Sequence, residues 1–240
     1  MSNHQNAGQL IHSSTASSLT DKSIVQPLPQ IKAPLALVSG VAAQSGVRLL
    51  AVQHPQRTVV EGFIKGIFKI HHQAQVSHFL PELFAVFNEQ GQPQSALGIK
   101  CASQGHLYLE HYLNEPIENL LNNTLGQAIK RSDVVEIGNL ASQNSASCKA
   151  LFAHITQHLQ EQNVKWITCT GTTTLRVVFK RLGIKALPIH KADQNRLGDE
   201  QYSWGNYYQN DPQVMLINVA KTNQHFKQLK KATEQKNLTH

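Results

Sequence analysis

The stretch Asp133-Val134-Val135-Glu136-Ile137-Gly138-Asn139-Leu140-Ala141-Ser142 decides how this chain reads. Val134, Val135, Ile137, Leu140 and Ala141 form the near-continuous apolar run of a strand buried on both faces. Two residues break that run. Glu136 places a carboxylate inside it, and a buried carboxylate needs a partner or a water-lined cavity. Gly138 removes a side chain, which within a strand marks a bulge or a close backbone approach. A bulge leaves unpaired amides facing a cleft, where they hold a carbonyl oxygen as negative charge develops. A carboxylate beside them takes a proton from an attacking amine, directly or through one water. Acyl transfer needs these parts. The alternative is a structural Glu136, facing solvent from an edge strand or paired with Arg131 or Lys130.

Working outward, strand and helix signals alternate. Lys165–Thr170 reads as a buried strand, and Thr172–Leu182 as a helix closed by Gly183. Ser145–Glu161 is the clearest helix, with Leu151, Phe152, Ile155 and Leu159 on one face. Upstream, Leu83–Asn88 and Ser95–Cys101 flank Glu89-Gln90-Gly91-Gln92-Pro93, a hairpin signal. The apolar spacing from Thr58 to His71 predicts a helix, preceded by a strand over Val47–Val52. Ile117, Leu120, Leu121 and Leu125 mark a helical stretch within Tyr112–Lys130. Ile184–Ile189 is a short strand broken by Pro188, and Val214–Ala220 is the closing strand. This order predicts an α/β (α+β mixed) fold, a central twisted mixed sheet with helices on both faces.

Three segments follow from composition. Residues 1–32 are polar and Ser-rich and read as a disordered leader; residues 33–220 form the folded body; residues 221–240 are a basic tail, part helical. Of the net charge of +7, the tail carries five lysines against Glu234. The mildly basic body that remains argues against a nucleic-acid partner. Cys101, Cys148 and Cys169 show no CxxC spacing, so neither a zinc site nor a disulfide framework is expected. No secretory signal pattern and no long apolar run is present, which predicts a cytoplasmic protein, with secretion left open.

Other candidates carry weaker signals. Thr168–Thr174 follows a strand and opens a helix, giving either an anion-binding amide cluster or ordinary capping by Thr172 or Thr173. Cys169 reads as a buried thiol, and Cys148 as a first-turn thiol without a histidine partner. His154 and His158, at i and i+4, are placed on the exposed face of their helix rather than on a metal, and no metal site is expected. Trp204-Gly205-Asn206-Tyr207-Tyr208 either lines a pocket or covers the end of the sheet.

At these residues the chain resembles the thermostable hemolysin family. The carrying stretches are Phe79-Leu80-Pro81-Glu82-Leu83, Ala96-Leu97-Gly98-Ile99, Leu109-Glu110-His111-Tyr112-Leu113, Val135–Ala141, Ala192-Asp193 and Trp204–Tyr208. That family is similar to the acyl-homoserine-lactone synthases, so the resemblance implies a GNAT-like acetyltransferase fold. Glu136-Ile137-Gly138-Asn139-Leu140-Ala141 matches their Glu-Leu-(Ser/Thr)-Arg-(Phe/Leu)-Ala segment, with Asn139 where they carry Arg. Their N-terminal Arg…Phe…Trp pattern is met by Arg57 and Phe68 without a nearby Trp.

The coenzyme-A loop of such enzymes is replaced by Gln143-Asn144-Ser145-Ala146-Ser147-Cys148, which has no Gly. Acyl carrier protein is therefore at least as good a donor as free coenzyme A, and no tightly bound cofactor is expected. The resemblance implies an N-acyltransferase moving a fatty acyl group from such a thioester to a small-molecule amine, for example an amino acid. Glu136 is the expected catalytic base. Gly138, Asn139, Leu140, Ser142, Thr170, Trp204, Tyr207 and Tyr208 are the expected substrate-binding residues. Two other readings stand beside it: a protein that damages membranes directly, as the family name says, and a non-catalytic binding module.

Overall fold

The structure is a computed structural model that describes residues 46–238; the leader expected over residues 1–32 lies outside them. Seven strands form one sheet: β1 (Gly46–Leu50), β2 (Glu82–Phe87), β3 (Pro93–Cys101), β4 (Val134–Ser142), β5 (Trp166–Gly171), β6 (Ala186–Lys191) and β7 (Gln213–Asn218). Their order is β1-β2-β3-β4-β5-β7-β6. Every neighbouring pair is antiparallel except β4 and β5, which run parallel. β4 is thus the middle strand, and its apolar run is buried as its composition demands. Pro188 falls on β6, an edge strand, at a register shift, where the missing N–H costs no ladder bond.

Five helices cover the sheet: α1 (Arg57–His72), α2 (Ile117–Leu125), α3 (Ser145–Glu161), α4 (Thr173–Leu182) and α5 (Val219–Leu238). Side chains along β4 alternate between two cores. Val135 and Ile137 point into a core with Leu151, Phe152, Ile155 and Leu159 of α3, Phe179 of α4 and Phe226 of α5. Val134 and Ala141 point the other way, toward α2 and α1 respectively. Helices therefore flank both faces.

Local chemistry sets the helix ends. Asn144 caps α3 by accepting from Ser147 N, and Thr172 caps α4 by accepting from Leu175 N. Thr172 is thus an ordinary cap. Gly183, at φ 73°, closes α4. The last strand stops earlier than its apolar pattern implies. Asn218 Oδ1 accepts from Lys221 N, and Val219–Ala220 open α5 rather than extend β7. Helix α5 crosses the boundary drawn at residue 220, because Phe226 and Leu229 pack into the α3 core.

Between β3 and α2 the chain makes a 3-10 helix at Tyr108–Tyr112. Glu110 holds it. Its carboxylate accepts from Leu107 N, from Ile117 N at the start of α2, and from the Arg131 guanidinium at 2.7 and 3.1 Å. Arg131 also reaches Glu118. The guanidinium and two amides hold the Glu110 carboxyl down at about 2, against its burial.

Arg131→Met leaves that carboxylate 6% exposed and without its cation. The expected outcome is a loss of about 3 kcal/mol of stability, read as a lowered midpoint in thermal unfolding followed by circular dichroism. A double variant Glu110→Gln/Arg131→Met is expected to recover part of it.

Candidate active site

The site is built where β4 and β5 part. Their parallel ladder runs from Val134↔Trp166 to Ile137↔Cys169 and stops there, although β4 continues to Ser142 and β5 to Gly171. β3 follows β4 with a bulge: Gly98 pairs with Gly138 and Ala96 with Ala141, so Leu97 faces both Asn139 and Leu140. Asn139 takes φ 52°, a left-handed conformation that Asn tolerates better than most residues. A gap therefore opens between Gly138–Ser142 on one arm and Thr170–Gly171 on the other, with strand amides on its rim released from β4–β5 pairing.

Glu136 sits just below the gap. It lies on the inner strand β4, is 4% exposed, and shares its face with Val134 and Gly138. Its Oε2 accepts from Tyr108 N at 2.7 Å and its Oε1 from Leu109 N at 2.9 Å. Glu136 is not on an edge strand, and Arg131, one of the two cations the sequence offered it, pairs with Glu110 and Glu118 instead. Burial raises the Glu136 carboxyl to about 7, with the two amides and Lys100 pulling the other way.

Over that face stands an aromatic cup. Trp204, Tyr207 and Tyr208 pack on one another at 5.3 to 6.4 Å between ring centroids. Tyr108 joins Trp204, Tyr112 joins Tyr208, and the α1 residues Phe68 and His72 close one side. Hydrogen bonds fix the rings. Trp204 Nε1 donates to Tyr108 Oη, Tyr108 Oη donates to Glu200, the hydroxyls of Tyr112 and Tyr208 meet at 2.6 Å, and Tyr207 Oη donates to Thr170 O. Burial raises the phenols of Tyr108, Tyr112 and Tyr207, and lifts Tyr208 to about 12, so all remain protonated donors at neutral pH. Gly205, at φ +53°, lets this loop pass over the end of α1, where a Cβ would overlap His72 O.

The structure sorts the expected site residues. Glu136 and Gly138 share one face of β4, and Trp204, Tyr207 and Tyr208 form one ring cluster that meets Thr170 O through Tyr207 Oη and Tyr108 Oη through Trp204 Nε1. Gly138 and Gly98 also admit Leu80: an added Cβ would stand 3.0 Å and 2.8 Å from its side chain. Asn139 uses its side chain on the same segment, accepting from Leu80 N and donating to His78 O. Arg57 binds Leu80 O and Pro81 O from the other side. Leu140 packs against the α3 core, and Ser142 donates to Asn144 O at the entry to α3.

Tyr108, Tyr112, His72, Asn206 and Glu200 were not among the expected site residues, although Asn206 lies in the aromatic stretch that the sequence singles out. One signal was present: four of the chain's five tyrosines meet here. Cys148 and Cys169 are buried, and burial raises their thiols to about 11 and about 12, against a nucleophilic role. His154 and His158 stack on each other and lean on Phe84. Among the described residues, no three His, Cys, Asp or Glu side chains converge as metal ligands. A separate cavity of about 460 Å3, lined by His106, Glu110, Asn114 and Arg131 among others, opens behind the 3-10 helix.

The family model described as thermostable hemolysin matches residues 50–223. The chain belongs to the thermostable hemolysin family. No curated protein matches it. Among solved structures it is similar to TofI in an apo form, at 12% identity and TM-score 0.53, covering 75% of this chain and 95% of that one. It is also similar to BjaI, a CoA-dependent acyl-homoserine lactone synthase solved with SAM and isopentyl-CoA, at 8% identity and TM-score 0.51, covering 76% and 88%. The AHL synthase LasI aligns at 11% identity and TM-score 0.50, covering 73% and 91%. At such identities the likeness is one of fold, and this thermostable hemolysin has a GNAT-like fold. No described helix is long and apolar enough to cross a membrane.

A carboxyl raised from 4.5 to about 7 binds a proton on folding between those values. The folded chain then holds more protons than the unfolded one, so this group's share of stability falls as pH rises through that window. Glu136→Gln removes the proton and also one of two amide acceptors. Urea unfolding from about pH 4 to about pH 8 is expected to show the variant gaining on the wild type as pH rises across the window, on top of a constant loss.

Proposed function

We propose that this thermostable hemolysin is an N-acyltransferase that moves a fatty acyl group from a carrier thioester to an amine. One observation carries the reading: a buried carboxylate with a pKa near neutrality lies beneath a parted β4–β5 pair, on the face covered by the aromatic cup. In this reaction the amine attacks the thioester carbonyl, the carbonyl oxygen becomes an oxyanion, and the thiol departs. Amides at the bulge from Gly138 to Leu140 are the donors for that oxyanion. Glu136 takes the amine proton through an ordered water, since both its oxygens already accept backbone amides. The protonated phenols and Trp204 shape the wall of the acceptor side.

The donor enters from the α3 side of the gap. There the loop Gln143–Ser147 is occupied with its own bonds: Gln143 N donates to Gln94 O and Ser147 N to the Asn144 side chain. A loop so engaged and without Gly cradles a pyrophosphate poorly. Acyl carrier protein, which delivers its thioester on an arm and is gripped outside the cleft, is the donor this favours.

The test is thiol release by purified protein from long-chain acyl-carrier protein and from acyl-CoA, with and without a pool of amino acids and small amines. Amine-dependent release and an N-acyl product by mass spectrometry are expected, faster with the carrier protein. Glu136→Gln is expected to lower kcat at least about 100-fold. The wild-type rate is expected to rise with pH up to about 7 and level off, because the base acts ionised. Release from neither thioester with any amine overturns the reading.

A second reading, direct action on membranes, rests on α1. Val59 and Ile70 are about half exposed on it, Phe63 and Ile67 lie between them, and Lys65 and Lys69 flank that stripe. Leakage of anionic vesicles by purified protein without any thioester, lost in Val59→Asp/Ile70→Asp, would decide for it.

A further inference from the structure

The two amides that hold Glu136 sit in a run of three successive peptide units, each held at both ends. The Leu107 N–H donates to the Glu110 carboxylate, and the His106 carbonyl of the same unit accepts from Lys100 Nζ at 2.7 Å. The Tyr108 N–H donates to Glu136, and the Leu107 carbonyl accepts from Glu110 N at 3.2 Å. The Leu109 N–H donates to Glu136, and the Tyr108 carbonyl accepts from His111 Nδ1 at 2.7 Å. In this run of bonds Glu110 and His111 come from the 3-10 helix itself. Lys100 and Glu136 come from the sheet, on β3 and β4.

Those two sheet residues stand opposite each other. Lys100 pairs with Glu136 in the antiparallel β3–β4 register, so both side chains leave the sheet on one face. Among the described residues Lys100 closes no ion pair, and its charge acts on Glu136 at longer range, favouring the carboxylate. The other ionisable groups around Glu136 give it no such help. Glu110 on the 3-10 helix opposes its ionisation, Cys169 on β5 is a neutral thiol raised to about 12, and Arg131 is taken up by Glu110 and Glu118. Burial drives the carboxyl toward its protonated form, whereas a base works only ionised. One ammonium thus serves both needs of the base: where its amide donors point, and whether it already holds a proton.

We propose that Lys100 is the positioning residue of the Glu136 base. Its ammonium fixes the His106 carbonyl, which orients the segment whose amides grip Glu136, and its charge stabilises the carboxylate that accepts the amine proton. The proposal rests on the acyltransferase reading for the role of Glu136. Lys100 acts through Glu136 and the His106 carbonyl and touches no reacting atom.

The titration of Glu136 can be followed without turnover. Infrared difference spectra of the full chain from about pH 5 to about pH 10 track the protonated-carboxyl band that Glu136→Gln removes. Lys100→Met keeps the apolar stem and removes both charge and donor. Its midpoint is expected about one pH unit above that of the wild type, which lies at about 7. Lys100→Arg keeps charge and donor and is expected to return the midpoint to near the wild type. Thermal unfolding confirms that the variants fold, and Lys100→Gln, polar but uncharged, takes the place of Lys100→Met if that variant does not.

In the thiol-release assay Lys100→Met is expected to lower kcat about tenfold at about pH 6 and to recover most of it above about pH 9, with the KM values for amine and thioester within about twofold. Lys100→Arg is expected to restore the wild-type pH profile. A lowered unfolding midpoint with an undisplaced Glu136 titration makes Lys100 merely structural and overturns the proposal, as does an equal displacement in Lys100→Arg. A displaced titration with no thiol release from any thioester keeps the coupling of Lys100 to Glu136 and overturns the acyltransferase reading instead.

Discussion

The bond on which this structure turns is the one between the Glu136 carboxylate and the amides of Tyr108 and Leu109. It joins the middle strand of the sheet to the 3-10 helix at Tyr108–Tyr112. Through it Tyr108 and Tyr112 are brought over β4, and through them the loop carrying Trp204 and Tyr208 is held. A charge in this position costs free energy, and the two amides and Lys100 offset only part of it. The same imperfect compensation leaves the carboxyl able to change protonation near neutrality. The group that pins the 3-10 helix is thus also the one that titrates near neutrality.

Glu110, two residues after Tyr108, shows the opposite balance. It meets a guanidinium as well as two amides, and its carboxyl falls to about 2. Two glutamates therefore hold the two ends of one short segment, one permanently ionised and one poised. At Glu110 the cation and amides outweigh burial, and at Glu136 burial outweighs the amides and Lys100. Arg131 belongs to the scaffold for this reason.

Asn139 serves two local needs at once, and its short side-chain amide reaches back to His78 and Leu80. With Arg57 it clamps the chain that leads into β2, and Leu80 is laid across two glycines. The bulge needs a residue that tolerates positive φ, and the clamp needs one donor and one acceptor; Asn supplies both.

The sequence by itself determined the elements and the central strand. Apolar periodicity and capping chemistry are local, so α3, α4 and the β2–β3 hairpin were legible residue by residue, as was the charge buried in β4. It also pointed to Trp204, Tyr207 and Tyr208, because aromatic residues crowd there in an otherwise aromatic-poor chain.

Only the tertiary structure decided which groups meet. β7 ends at Asn218 although Val219 and Ala220 are apolar enough to extend a strand, because the Asn218 side chain accepts from Lys221 N and starts α5. Glu136 has no ion-pair partner nearby in sequence, and its two amide donors come from a segment 27 and 28 residues away. The end of α1 meets the Trp204–Tyr208 loop through the bond from Asn206 N to His72 O, between elements far apart in sequence, and no local pattern records that.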